Sequence, residues 1–342
     1  MHIETSKKFS AYKNDKQKKY NTSDQKGSFN VEPEQIPDEL ALIRQTDEFL
    51  SRINLVPVKL ESESVIGLGS GKLIAARVDT AHGGERQPRR MKPTVDMKYQ
   101  CQQVNFDTQI TFGSLDAFAH YPDFNDRLER EIRKHINLDM IRLGFFGKAV
   151  ADDSDYETNP NGEDVASGWI QKLRENRPDS MLTKADANIL IGAGGDYETV
   201  NDAVIAVKSK IAPHYRDVNN LVVLLGSDLV SYDQANFYQK QVDAHQPVNQ
   251  IELRQIKESY GAMPAFMPSC FPARGIMVTS FDNLSIYFLI NSLRRTFGNR
   301  NDRANCIDNF ESVSIDYIIE HLDKAAAIDF ELVQLKQGEI WQ

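Results

Sequence analysis

The segment Gly67-Leu-Gly-Ser-Gly-Lys72 comes nearest to a chemical motif in this chain of 342 residues. A phosphate-binding Walker loop needs two glycines five residues apart, then Lys followed by Ser or Thr, because its backbone amides must curl around the phosphates. Here Ile66 stands where the first glycine belongs and Leu73 where the hydroxyl belongs, so the segment reads as a flexible loop or hairpin. It also fails as a nucleophile elbow, since Gly69 occupies the place of the serine. Gly192-Ala-Gly-Gly-Asp196 precedes a helical pattern, and a helix N-terminus can hold an anion. Asp196 and Glu198 would repel phosphate there, which leaves an ordinary turn.

The histidines, His2, His82, His120, His135, His214, His245 and His321, show neither HExxH nor another ligand pairing. His135 falls beside Arg133, Lys134 and Ile136 in a helical stretch, where a half-exposed structural role fits it best. Cys101, Cys270 and Cys306 stand far apart, outside any CxxC or Cys/His cluster. No Ser, His and Asp share a diagnostic setting. The residues thus point to no catalytic group, no cofactor and no metal. One compact basic patch remains, Glu85-Arg86-Gln-Pro-Arg89-Arg90, which reads either as a solvated loop tip or as arginine forks for carboxylates of a neighbouring subunit.

With 41% hydrophobic and 26% charged residues, the chain can bury one large core or two modest ones. No apolar run approaches a membrane span, and the lysine-rich start lacks the apolar centre of a signal peptide, so residence in the cytoplasm is expected. Charge is divided unevenly. Residues 1–29 hold seven lysines against Glu4, Asp15 and Asp24, a net of +4, which leaves −13 on the remainder of a chain totalling −9. Poor in apolar residues and without a sustained period, this segment reads as a mobile basic tail.

The elements that must carry these residues follow from patterning. Residues 29–58 combine Pro33, Pro37 and Pro57 with the spacing Leu40, Ile43, Asp47, Leu50 and an extended run Ile53–Val58, an arm reaching away from a core. Alternation from Val65 to Val78 and from Met97 to Phe112, joined by a polar excursion, predicts a projecting two-stranded loop. Asp123 opens the best helix, with Phe124, Leu128, Ile132, Ile136, Met140 and Gly144 every four residues as far as about Phe145. A loop over Gly147–Gly162 and a short helix over Val165–Asn176 come next, then a second strong helix from Thr199 to Pro213 with a capping pair Thr199/Asp202. Leu221–Leu225 reads as a buried strand, and Asn236–Val242 has helical spacing. Leu284–Ile290, Val313–Ile319 and Ala327–Leu335 are strand-like. The class is mixed α/β, of the α+β kind.

Several stretches, read in order, resemble one family. They are Asp47–Val58 (DEFLSRINLVPV), Asp79–Pro88 (DTAHGGERQP), Lys98–Asp107 (KYQCQQVNFD), Asp164–Asn176 (DVASGWIQKLREN), Gly194–Tyr197 (GGDY), Asp282–Phe288 (DNLSIYF) and Asn309–Glu320 (NFESVSIDYIIE). They look like the P2-type major capsid proteins of tailed phages, and the correspondence runs through nearly the whole chain. The resemblance implies an HK97-like capsid fold with an N-arm (30–62), an E-loop (63–108) and a peripheral domain (109–225 and 281–337) built on a spine helix at about 123–145. An axial domain (226–280) would complete it. It implies a head-forming subunit, in pentamers and hexamers of an icosahedral shell around double-stranded DNA, with a capsid protease or scaffold and a portal protein as partners and no membrane. The expected place is the virion, with the host cytoplasm during assembly.

Family members lose an N-terminal segment to the phage's protease, at an aromatic residue shortly before Val-Glu-Pro. That junction stands here as Phe29-Asn30-Val31-Glu32-Pro33, which places the cut between Phe29 and Asn30. Removal of the basic segment would leave an acidic lining that lets DNA slide instead of binding it through released counterions. The same fold could also serve a nanocompartment of the encapsulin kind. A soluble α/β enzyme is the more distant alternative.

Overall fold

The computed structural model describes residues 1–20, 28–69, 75, 77–83, 85–87, 92–185, 187–243, 258–338 and 340–341. Among them the helices are α1 (Ile3–Lys19), α2 (Ile36–Thr46), α3 (Glu48–Arg52), α4 (Phe112–Phe118), α5 (Phe124–Phe146), α6 (Trp169–Asn176), α7 (Val200–Ser209) and α8 (Ser227–Asp243). The four-residue stripe forms the buried face of α5, where Phe124, Leu128, Ile136, Met140 and Gly144 turn inward with Ile141 and Phe145. At 1.5 Å per residue α5 is a strut of about 35 Å. In α7 the expected cap is present: Thr199 Oγ1 accepts from the Asp202 amide at 3.1 Å and the Asp202 carboxylate accepts from the Thr199 amide at 3.1 Å.

The described strands form four sheets. The largest runs β1 (Ser28–Asn30), β14 (Arg294–Asn301), β15 (Cys306–Ile319), β13 (Leu284–Leu289), β2 (Asn54–Val58), with β5 (Gln102–Asn105) and β6 (Thr108–Thr111) also on the long β15. A second runs β10 (Ser259–Tyr260), β11 (Met263–Phe266), β9 (Val222–Leu225), β12 (Ile276–Thr279), β16 (Ala326–Ile328), β7 (Met181–Leu182). The short strands β18 (Ile340–Trp341), β17 (Val333–Gln337) and β8 (Ile189–Ile191) make a third. The fourth is the antiparallel ribbon of β3 (Ser62–Gly69) and β4 (Lys92–Gln100); of the limb expected over Met97–Phe112 only residues 97–100 lie in it, while the remainder supplies β5 and β6 to the large sheet.

Alternation along the second sheet explains why β9 reads as one unbroken apolar run. Val222, Leu224, Met277 and Ala327 belong to the core shared with the large sheet, α2, α3, α5 and α6. Their neighbours Val223, Leu225, Ile276, Val278 and Ala326 belong to a second core under α7. That second core gathers residues from Leu182 to Leu335, a wider span than 226–280, of which residues 244–257 lie outside those described.

The structure corrects the sequence in three places. Residues 1–20 of the N-terminal segment are not a mobile tail: α1 is docked, with Thr5, Phe9, Tyr12 and Lys16, and Tyr20 just beyond it, buried at helical spacing. The arm does not reach away; Ile36, Leu40, Ile43, Phe49 and Leu50 are buried and β2 pairs in parallel with β13. The stretch Ala327–Leu335 divides at the 3-10 turn Phe330–Leu332 into β16 and β17, which join different sheets.

Candidate functional site

The predicted junction Phe29–Asn30 lies in β1, the end strand of the large sheet, antiparallel to β14 with Phe29 opposite Arg295 and Asn30 opposite Arg294. The pairing continues into Val31, whose amide donates to the Leu293 carbonyl at 3.0 Å. An end strand is already extended and keeps one row of backbone groups unpaired within its sheet, the form in which a peptide adds to another strand.

Upstream of the junction, α1 lies on α4 and α5. Phe9 and Tyr12 join Leu115, Phe124, Leu128 and Ile307 in a small core. Phe9 can seat closely because position 298 is glycine, with φ +69°: a Cβ there would stand 3.0 Å from the Phe9 ring. The Lys16 ammonium pairs with Glu129 on α5. At the start of α1 the His2 amide donates to Asp116 on α4 at 2.8 Å, and the Lys8 ammonium donates to the Ala119 carbonyl at 2.6 Å.

Behind the junction strand lies a buried charge cluster that sequence reasoning missed. Arg295 is 2% exposed; its guanidinium meets Glu39 at 2.6 Å and Glu311 at 2.8 Å. Arg133, from α5, spans the same carboxylates at longer range, 3.2 Å to Glu39 and 3.4 Å to Glu311. The Tyr20 hydroxyl completes the group, donating to Glu39 at 2.6 Å and accepting from Arg295 at 3.0 Å. Five residues, from α2, α5, β14, β15 and the position just after α1, thus meet in one place.

Some signal was present. Glu39 sits on the apolar face of Ile36, Leu40 and Ile43, and Glu311 shares the inward parity of Val313, Ile315 and Tyr317. Charges at core positions imply partners.

Burial resists ionisation of Glu39, yet Arg295, then Arg133, and the Tyr20 hydroxyl outweigh it and lower its carboxyl to about 2. Glu311 is lowered in the same way, against burial, by Arg295 first and then Arg133. A depressed carboxylate contributes stability that is complete above its unfolded value, near 4.5, and is lost as pH falls towards the folded value. Thermal unfolding followed by circular dichroism should therefore show a midpoint that drops between pH 4.5 and about 2, and Glu39→Gln should flatten that drop.

The other predicted residues fall elsewhere. Glu85 and Arg86 are exposed on the excursion between β3 and β4, and Arg89 and Arg90 lie outside the described residues. The base of the ribbon is fastened: the Gln100 amide donates to Asp316 at 2.9 Å, and the Tyr99 and Tyr287 rings stand 4.9 Å apart. The Gly192–Asp196 turn is filled by its own carboxylate, since Asp196 accepts from the Leu190 amide at 3.0 Å and from Lys184 at 2.8 Å. His135 is exposed on α5. Among the described residues no helix is long and apolar enough to cross a membrane. The chemistry this arrangement offers is mechanical: an extended junction, a docked helix ahead of it and a buried ionic tie that joins them.

The family model described as phage major capsid protein, P2 family, matches residues 8–330. The chain is 34% identical over 316 residues to "Capsid proteins" of Escherichia phage P2, covering 90% of this chain and 87% of that one. It is 30% identical over 300 residues to the major capsid protein of Serratia phage KSP20, covering 84% and 85%. Among solved structures, a chain of the satellite phage P4 procapsid that includes the size determination protein Sid superposes with a TM-score of 0.75 at 33% identity, over 98% of this chain and 99% of that one.

Proposed function

This chain belongs to the P2 family of phage major capsid proteins, with their HK97-like fold, and from that premise we propose how it builds and matures a head. As a capsid protein it is a component of the virion, and capsid shells are lattices of repeated subunits. In our reading the subunits gather as pentamers and hexamers in the host cytoplasm, with a scaffold or capsid protease and a portal protein as partners, and enclose double-stranded DNA without reading its sequence. The subunit works as a structural element and carries out no catalysis of its own.

The observation that carries this reading is the β3–β4 ribbon, which among the described residues is a two-stranded sheet of its own. A two-stranded hairpin is marginal in water without a surface to lie on. A neighbouring subunit supplies that surface in a shell, where many modest contacts close rings and link them. The exposed Glu85 and Arg86 then serve as contacts between subunits, with Arg89 and Arg90 beside them in the sequence.

We assign the maturation cut to the Phe29–Asn30 bond, on the sequence junction and its place in an end strand. Mass spectrometry of subunits from mature heads should find a chain beginning at Asn30, and a subunit of full mass in DNA-filled heads would reject the cut. Removal of residues 1–29 takes four net positive charges from each subunit. An uncleavable variant should then package DNA more slowly and less densely, because the retained lysines bind phosphate. Normal packaging by that variant would reject the electrostatic role.

A further inference from the structure

Tyr20 belongs to the segment assigned for removal, yet its hydroxyl lies in the buried charge cluster of the part that remains. The hydroxyl is shared by two of the cluster's members. It donates to Glu39 on α2 and accepts from Arg295 on β14, the residue directly opposite Phe29 in the sheet. One arginine is therefore tied to the N-terminal segment twice, through its side chain to Tyr20 and through its strand to the junction.

The remaining ties of the cluster are uneven. Arg133 holds Glu39 and Glu311 only at 3.2 and 3.4 Å, and Arg295 Nε has no hydrogen-bond acceptor among the described residues. A buried ionic group contributes little net stability, but it is strongly sensitive to the loss of any one partner. Glu39 is the buried charge of α2, beside the apolar Ile36, Leu40 and Ile43, and it anchors the first half of the helix, while Asn137 Nδ2 on α5 donates to the Ile43 carbonyl at 3.1 Å in the second half.

We propose that Tyr20 couples the N-terminal segment to the seating of α2: while the segment is present its hydroxyl closes the cluster and pins α2 to the large sheet, and its departure frees α2 to re-seat. Phe9 and Tyr12 of α1 pack on α4, α5, β14 and β15, and Lys16 pairs with Glu129 on α5, so the segment has anchors besides the one that Tyr20 makes to α2. A cut at Phe29–Asn30 converts Tyr20 from a tethered partner at high local concentration into one that dissociates with its peptide. The inference takes its purpose from the assigned cut. The two fail separately, because the experiment below uses the uncut chain, whereas the cut is read from the subunit mass in mature heads.

Hydrogen–deuterium exchange of the full chain tests the coupling. Tyr20→Phe keeps the ring and removes the hydroxyl; amides of residues 38–46 on α2 should exchange about tenfold faster, as expected for one lost hydrogen bond to a charged group, while those of α1 stay within about threefold. Phe9→Ala should give the reverse pattern, with α1 faster and α2 little changed. Tyr20→Ala, which removes the ring as well, should raise α2 exchange further. Exchange of α2 within about twofold of the parent chain in both Tyr20 variants would overturn the proposal. So would an α2 that loosens as much with Phe9→Ala as with Tyr20→Phe.

Discussion

Arg295→Ala should destabilise the subunit by about 3–5 kcal/mol, the effect expected when one partner of a buried ion pair is removed and the other is left charged. Glu39 and Glu311 would then lose the closer of the two arginines and keep Arg133, through contacts of 3.2 and 3.4 Å. Denaturant unfolding at neutral pH, followed by fluorescence of the buried Trp169, measures the loss against a total stability of about 5–15 kcal/mol. The pH dependence identifies the cause. In the parent the carboxylates are depressed, so acid removes stability. In the variant the surplus carboxylate is raised above its unfolded value, and protonating it relieves the defect. The gap between the two proteins should narrow from pH 7 towards pH 4.5, the ordinary value for glutamate. A loss under about 1 kcal/mol that does not vary with pH would mean that the cluster is screened by solvent.

That result also bears on how far a sequence discloses such a site. The strut α5 was legible because its apolar residues recur at the helical period while its other faces are charged. A ribbon in this region was legible from alternation, although its second limb was set too far along the chain, into β5 and β6, and the cap of α7 was legible from Thr199 and Asp202. Helix α1 obeys the same rule and was missed. Two of the four buried positions among its described residues are Thr5 and Lys16, and a buried lysine reads as a solvated one until Glu129 is known to lie beneath it. Docking also depends on a partner surface of α4, α5 and β15, so no count of apolar residues within 1–29 could supply it.

The cluster is harder still. Tyr20 and Arg295 stand 275 residues apart, and Arg133 and Glu311 178. A pairing of that kind is a property of the assembled sheet and helices. The single residue can show only that it is a charge in a core position. The division between the two cores was blurred for a related reason. One sheet feeds both, residue by residue, so the chain crosses between them at β9, β12 and β16 without a linker.

Trp169→Ala is the second large effect, about 3–5 kcal/mol for emptying a fully buried aromatic site. The indole touches four parts of the first core. Its ring centroid is 5.0 Å from Tyr317 on β15, 5.1 Å from Phe145 on α5 and 6.1 Å from Phe49 on α3, and its Nε1 donates to the Ser285 carbonyl on β13 at 3.1 Å. Position 144 on α5 is glycine because this ring lies against it: a Cβ there would come within 2.3 Å of Trp169 Cζ3. Gly144→Ala alone should therefore destabilise by about 1–3 kcal/mol through overpacking. In the Trp169→Ala background the clash is gone and the helix propensity of alanine remains, so the same change should be neutral or stabilising by up to about 1 kcal/mol. Thermal unfolding of the four proteins gives the coupling directly. Additive effects would mean that Gly144 and Trp169 do not meet. A strong coupling would also tie α5 to α3, because Phe49 packs on the same ring that Gly144 admits, and an α5 forced outward by a methyl group would disturb that contact as well.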